Sequence, residues 1–111
     1  MEIYYTIYQT EKHDYLFMPF NYASKHGLDL LDYEQVANSV IEMTPEKGEA
    51  LTTSIDEILD SLFRTYNLHV PKWYKGRLLS MSDVVVLTVK AGDVCLELGK
   101  YYCDTIGWKK F

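Results

Sequence analysis

Residues 76–87 read GRLLSMSDVVVL. Ser80, Ser82 and Asp83 lead straight into Val84, Val85, Val86 and Leu87, a run of apolar residues dominated by β-branched side chains. Such a run, bounded by turn-forming residues, reads as a strand covered on both faces. The polar residues ahead of it admit two readings, a nucleophile turn or a lead-in whose side chains bond backbone. A nucleophile elbow needs Gly-x-Ser-x-Gly between a strand and a helix, because small neighbours let the strained turn expose the hydroxyl. Here a loop precedes a strand, and no glycine stands at the required places. Serine and aspartate commonly close turns by accepting from backbone amides, so Ser80, Ser82 and Asp83 are assigned a structural role at the start of the strand.

Working outward, KAGD (90–93) predicts a hairpin turn around Gly92, and Val94 to Leu98 with Lys100 to Cys103 predict the returning strand. Gly99 marks a bulge within it. DTIGWKKF (104–111) predicts a short edge strand, whose Lys109 and Lys110 discourage pairing with another chain. Upstream, Ser54 to Asn67 predicts an amphipathic helix. Ser54 and Glu57 have the spacing of a capping box, and Ile55, Ile58, Leu59, Leu62, Phe63 and Tyr66 form one apolar stripe.

The rest of the N-terminal half is less regular. Glu2 to Gln9 alternates Ile3, Tyr5 and Ile7 with Tyr4, Thr6 and Tyr8 and predicts a strand. A loop through Pro19 then leads to a short helix at Tyr22 to His26, closed by Gly27. LDYEQVANSVIEM (31–43) would serve a strand by its Val and Ile content, but Tyr33, Val36, Ala37, Val40 and Ile41 fit helical spacing and predict a helix. TPEKGEAL (44–51) reads as a loop. The expected fold is α+β: one domain over 1–111, with a mainly antiparallel twisted sheet and the 54–67 helix packed on one face.

The totals narrow the function. The chain has 111 residues, 48% hydrophobic and 24% charged, as expected of one globular domain that needs no staple. A net charge of −5 argues against generic nucleic-acid binding, which clustered Lys and Arg supply. No apolar run approaches the roughly 18 residues that span a bilayer, and the N-terminus lacks a signal-peptide pattern, so a cytoplasmic protein without membrane association is expected. Cys95 and Cys103 read as free, inert thiols buried in strands. Ten tyrosines suit strand surfaces and interfaces alike.

No cofactor is expected. The glycines form neither GxGxxG nor GxxxxGK[ST], and His13, His26 and His69 lack the close pairing of zinc ligands. Asp29, Asp32 and Glu34 read as a charged surface. The candidate binding patch is VPKWYKGR (70–77), where Lys72, Trp73, Tyr74, Lys75 and Arg77 place aromatic rings among cations. Such a patch can anchor a protein partner or stack single-stranded bases. Alternatively, Trp73 folds over the helix as core.

SIDEILDSLFRTYNLHVPKWYKGRLLSMSDVVVL, followed by YYCDTIGWKKF, resembles the YodL-like domain family of Firmicutes. The resemblance is carried by Leu79, Ser80, Ser82, Asp83, Val84, Val85, Val86 and Leu87, together with Tyr101, Tyr102, Asp104, Gly107 and Trp108. It is firm over the C-terminal half and looser before it. It implies an accessory protein of a phage or conjugative element, and it supplies no catalytic residues. The expected function is therefore non-enzymatic binding of a host protein, such as inhibition of a defence system or another cellular machine. A nucleic-acid-binding regulator using the 72–77 patch is the alternative, and a hydrolase using Ser82 or Cys103 ranks behind both.

Overall fold

The computed structural model describes residues 2–42 and 55–111. Five antiparallel strands form one sheet: β1 (Glu2–Gln9), β2 (Glu34–Glu42), β3 (Val84–Ala91), β4 (Val94–Cys103) and β5 (Trp108–Lys110), in the order β2-β1-β3-β4-β5. Among the described residues two helices accompany them, α1 (Phe20–Lys25) and α2 (Ile55–Leu68), with a short 3₁₀ turn at Leu30–Asp32. The fold is α+β, as expected.

The apolar alternation of β1 decides how the layers stack. Ile3, Tyr5 and Ile7 are buried on one face, joined there by Val85 and Leu87 of β3 and Tyr101 of β4. The stripe of α2 covers this face through Ile58, Leu59, Leu62 and Tyr66. The second face is covered by the irregular segment between β1 and β2. Tyr15 and Ala23 pack there against Val84 and Tyr102, with Tyr8, Phe20, Leu28, Leu30 and Tyr33 around them. Two-sided cover explains why β3 is apolar at consecutive positions.

Residues 31–43 do not form the helix that their spacing predicts. Glu34–Glu42 is an edge strand paired with β1, Ile3 opposite Ile41, Tyr5 opposite Ser39 and Ile7 opposite Ala37. The register then shifts, Tyr8 opposing Gln35, which leaves Val36 as an extra residue. This bulge lets both Val36 and Ala37 pack on the α2-side core, two positions before Ser39 and four before Ile41. Inward residues at 36, 37 and 41 imitate a helical stripe, although the strand itself alternates.

The smaller expectations divide. Gly92 (φ 63°) makes the hairpin turn, and a register shift between Leu87 and Thr88 places the bulge at Leu98–Gly99. The first helix starts at Phe20 rather than Tyr22, and Gly27 (φ 76°) follows its end. Ser54, and with it the capping box, and the 44–51 loop lie outside the described residues. Of the ten tyrosines, Tyr5, Tyr15, Tyr66, Tyr74, Tyr101 and Tyr102 are buried, so most of the tyrosine content is core rather than interface.

Candidate functional site

The connection from α2 to β3 holds the residues singled out in the sequence. It opens with a turn in which the Tyr74 amide donates to the Pro71 carbonyl at 3.0 Å. Lys72 and Trp73 occupy the central, outward positions of that turn. Trp73 is 53% exposed, its ring set edge-on to Tyr66 (6.4 Å) and Tyr74 (6.3 Å). Lys72 and Lys75 are exposed beside it in sequence, and Leu68 and Val70 are exposed just before it. The indole is thus held by two rings of fixed position while much of its surface meets solvent.

The other two members of the proposed patch do not join it. Tyr74 is buried, and its hydroxyl donates to the Arg77 carbonyl and accepts from Gln9 Nε2 at 3.1 Å. Arg77 is half-buried. Its Nη2 donates to the Thr10 carbonyl at 2.9 Å, and its guanidinium lies over the Phe17 ring at 5.4 Å. The candidate patch therefore reduces at the surface to Lys72, Trp73 and Lys75. The turn closed by Pro71 and Tyr74 sends Lys72 and Trp73 outward and Tyr74 inward, which residue types alone did not show.

Behind this surface lies a buried polar network centred on Asp83, which is 0% exposed. Its Oδ2 accepts from the Ser80 amide at 2.8 Å and from Gln9 Nε2 at 3.0 Å. Gln9 also donates to the Arg77 carbonyl and accepts the Arg77 amide through Oε1, both at 3.0 Å. On the other side, Asp83 Oδ1 and Arg77 Nη1 stand 3.9 Å apart, and neither has a hydrogen-bond partner among the described residues. Burial pushes the Asp83 carboxyl up to about 6; the Ser80 amide, Gln9 and Arg77 pull it down and do not offset the loss of water. A cleft of about 170 Å³ opens beside the network, lined by Lys75, Arg77, Glu11 and Glu34 among others, so its charge is mixed.

Ser80, Ser82 and Asp83 tie the start of β3 to the surrounding segments through hydrogen bonds to backbone. The Asp83 amide donates to the Ser80 carbonyl at 3.1 Å, closing a turn whose third residue, Ser82, has φ 85°. Type II turns reserve that position for glycine. Ser82 holds it with its own bonds: Oγ accepts the Phe17 amide at 3.0 Å, and its carbonyl accepts the Tyr33 hydroxyl at 2.8 Å. Its amide donates to the Cys103 carbonyl, and the Cys103 amide donates to that of Asp83. Phe17 (φ 58°) is the other non-glycine residue with positive φ among those described, so one hydrogen bond joins two strained positions.

The cysteines differ. Cys103 is buried, and burial first, then the nearby Asp83 and Asp104, push its thiol up to about 12. Cys95 is exposed on β4, contrary to the buried position expected of it. Asp29 and Asp32 do more than solvate a surface. Asp29 caps the 3₁₀ turn through the Leu31 amide, and Asp32 accepts from Tyr15 (2.9 Å) and Lys12 (3.1 Å). Among the described residues, no three His, Cys, Asp or Glu side chains gather as metal ligands would, and no helix is long and apolar enough to cross a membrane.

Several of the residues that carried the resemblance help build this junction, Leu79, Ser80, Ser82, Asp83 and Asp104 among them. Asn67 ties the end of α2 to the Leu79 carbonyl at 3.0 Å, and Asp104 accepts the Phe20 amide at 3.0 Å. A Cβ on Gly76 would lie 2.6 Å from Tyr74 Cζ and 2.9 Å from Gln9 Oε1, so only glycine fits there. The match to the YodL-like domain spans residues 2–111. The chain belongs to that family. No curated protein and no solved structure matches it. The match extends over the N-terminal half, where the sequence resemblance was looser. Gln9, Thr10, Tyr15 and Tyr33 of this YodL-like domain, none of them a candidate from sequence, complete the junction from that half. Gln9 offered one signal, a polar side chain on the inward register of an otherwise apolar strand face.

Proposed function

We propose that this YodL-like domain is a small, cytosolic, non-enzymatic accessory protein of a phage or conjugative element that binds a host protein through the Trp73 turn, for example to inhibit a defence system or another cellular machine. The observation that carries the reading is Trp73 itself, half exposed and braced by Tyr66 and Tyr74. A large aromatic side chain normally enters the core. One left at a turn tip on a rigid aromatic base offers wide contact area with little rotamer entropy to lose, the profile of a binding hot spot.

Affinity capture from a bacterial host lysate, with wild type and Trp73→Ala side by side and with nuclease treatment, tests the proposal. The expected result is a stoichiometric protein partner retained after nuclease and lost from the variant. The same partner recovered equally by both proteins would remove Trp73 from the interface. The nucleic-acid reading keeps a narrower footing, because only Lys72 and Lys75 accompany Trp73 at the surface. It predicts salt-dependent binding to single strands that Trp73→Ala with Lys75→Ala abolishes.

A further inference from the structure

The outer edge of β4 is only partly covered. β5 pairs with Tyr101, Tyr102 and Cys103, and the Phe111 amide takes the Lys100 carbonyl at 3.0 Å. Among the described residues, no strand pairs with the outer edge from Val94 to Leu98. Alternate residues of an antiparallel strand direct their amide and carbonyl to its outer edge, so this stretch presents an open hydrogen-bonding template. It also presents apolar surface: Val94 is 55% and Leu96 52% exposed. Lys109 and Lys110 guard β5, but no lysine lies between Val94 and Leu98.

We infer that Val94–Leu98 is a homodimer edge, at which a second copy of this chain pairs antiparallel about a two-fold axis through Leu96. Register fixes how two copies can pair. A two-fold axis normal to the sheet keeps the α2 face of both copies on one side, so it must pass through a residue pair and not between residues. Three centres fit the free stretch. Centring on Cys95 sets Asp93 against Glu97 of the second copy, twice. Centring on Glu97 sets the two Glu97 carboxylates against each other. Like charges directly opposite destabilise a strand pair. Centring on Leu96 avoids both clashes: Leu96 meets Leu96, each Cys95 meets Glu97, and each Val94 meets Leu98.

The faces agree. Leu96 opposes Val89 across the hairpin and so lies on the face of Val85 and Leu87, and period two brings Val94 to the same face. Leu98 already packs half-buried against that core, so Val94 of the second copy would extend it. The bulge at Leu98–Gly99 and the hairpin turn at Gly92 end the pairing on either side. The contact is short, which places the dimer in the weak, concentration-dependent class.

Sedimentation velocity from low micromolar to several hundred micromolar protein tests this. The wild type is expected to move from monomer towards twice the monomer mass. Leu96→Lys and Val94→Lys, both at exposed positions, are expected to stay monomeric with unchanged circular dichroism. Oxidation supplies a register test. With Cys95→Ser as background, Leu96→Cys places two thiols directly opposite, about 4.5–5.5 Å between Cα atoms and within disulfide reach. It should form a disulfide dimer, while wild-type Cys95, offset from its counterpart, should not. A wild type that remains monomeric throughout overturns the inference, as does a dimer that survives both lysine variants. Cys95 cross-linking faster than the Leu96→Cys thiol would refute the register. A monomeric protein whose β4 edge captures a strand peptide from another protein would assign the edge to a different occupant.

Discussion

Asp83 offers the sharpest test of the junction, because its carboxyl is fully buried and, among the described residues, one oxygen has no hydrogen bond. Burial raises its pKa from the ordinary 3.8 to about 6. Between those two values the native state holds more protons than the unfolded chain, so Asp83 makes stability fall as pH rises through that window. About two pKa units at roughly 1.4 kcal/mol each give a penalty of about 3 kcal/mol, complete above the folded value and absent below the unfolded one. Asp83→Asn keeps the shape and an oxygen for the Ser80 amide but carries no charge at any pH. Urea unfolding of both proteins from about pH 4 to pH 7 isolates the effect, since other groups cancel in the difference. The wild type is expected to lose about 3 kcal/mol relative to Asp83→Asn over that range. A difference that stays flat, or that moves in favour of the wild type as pH rises, would show that Arg77 closes on the carboxylate and that the attraction outweighs desolvation.

Three further outcomes follow from the same region. Gly76→Ala forces a Cβ against Tyr74 and Gln9 and should cost about 1–3 kcal/mol in chemical denaturation, as overpacking does. Ser82→Ala leaves the Phe17 amide without its acceptor while keeping the positive φ, whereas Ser82→Gly loses the same bond but relieves about 1–2 kcal/mol of backbone strain. Glycine should therefore be the milder change in thermal unfolding; alanine proving equal or better would refute strain at Ser82. In a thiol-labelling time course, Cys95 should react at once, and Cys103 only at the rate of unfolding.

The Trp73 turn and the β4 edge use different parts of the molecule. Trp73 belongs to the α2–β3 connection and Val94–Leu98 to the strand beyond the hairpin turn. Partner capture and self-association can accordingly be separated by single substitutions, Trp73→Ala in one case and Leu96→Lys in the other.

The sequence by itself determined the elements with strong local signals: the alternating β1, the amphipathic α2, the apolar β3, and the hairpin with its turn glycine and bulge. Each is written in neighbouring residues, through period two, period 3.6 or the demand for positive φ. The turn formed by Ser80 to Asp83 was also legible, because turn chemistry is local. Tertiary structure decided the rest. β2 escaped because its bulge at Val36 and Ala37 turns two consecutive side chains inward, an effect that exists only when β1 fixes the register. The VPKWYKGR patch divided because the Pro71–Tyr74 turn sends Trp73 outward and Tyr74 inward, where Gln9, 65 positions away in sequence, holds its hydroxyl. Composition names the residues able to bind, but only long-range pairing decides which of them reach solvent.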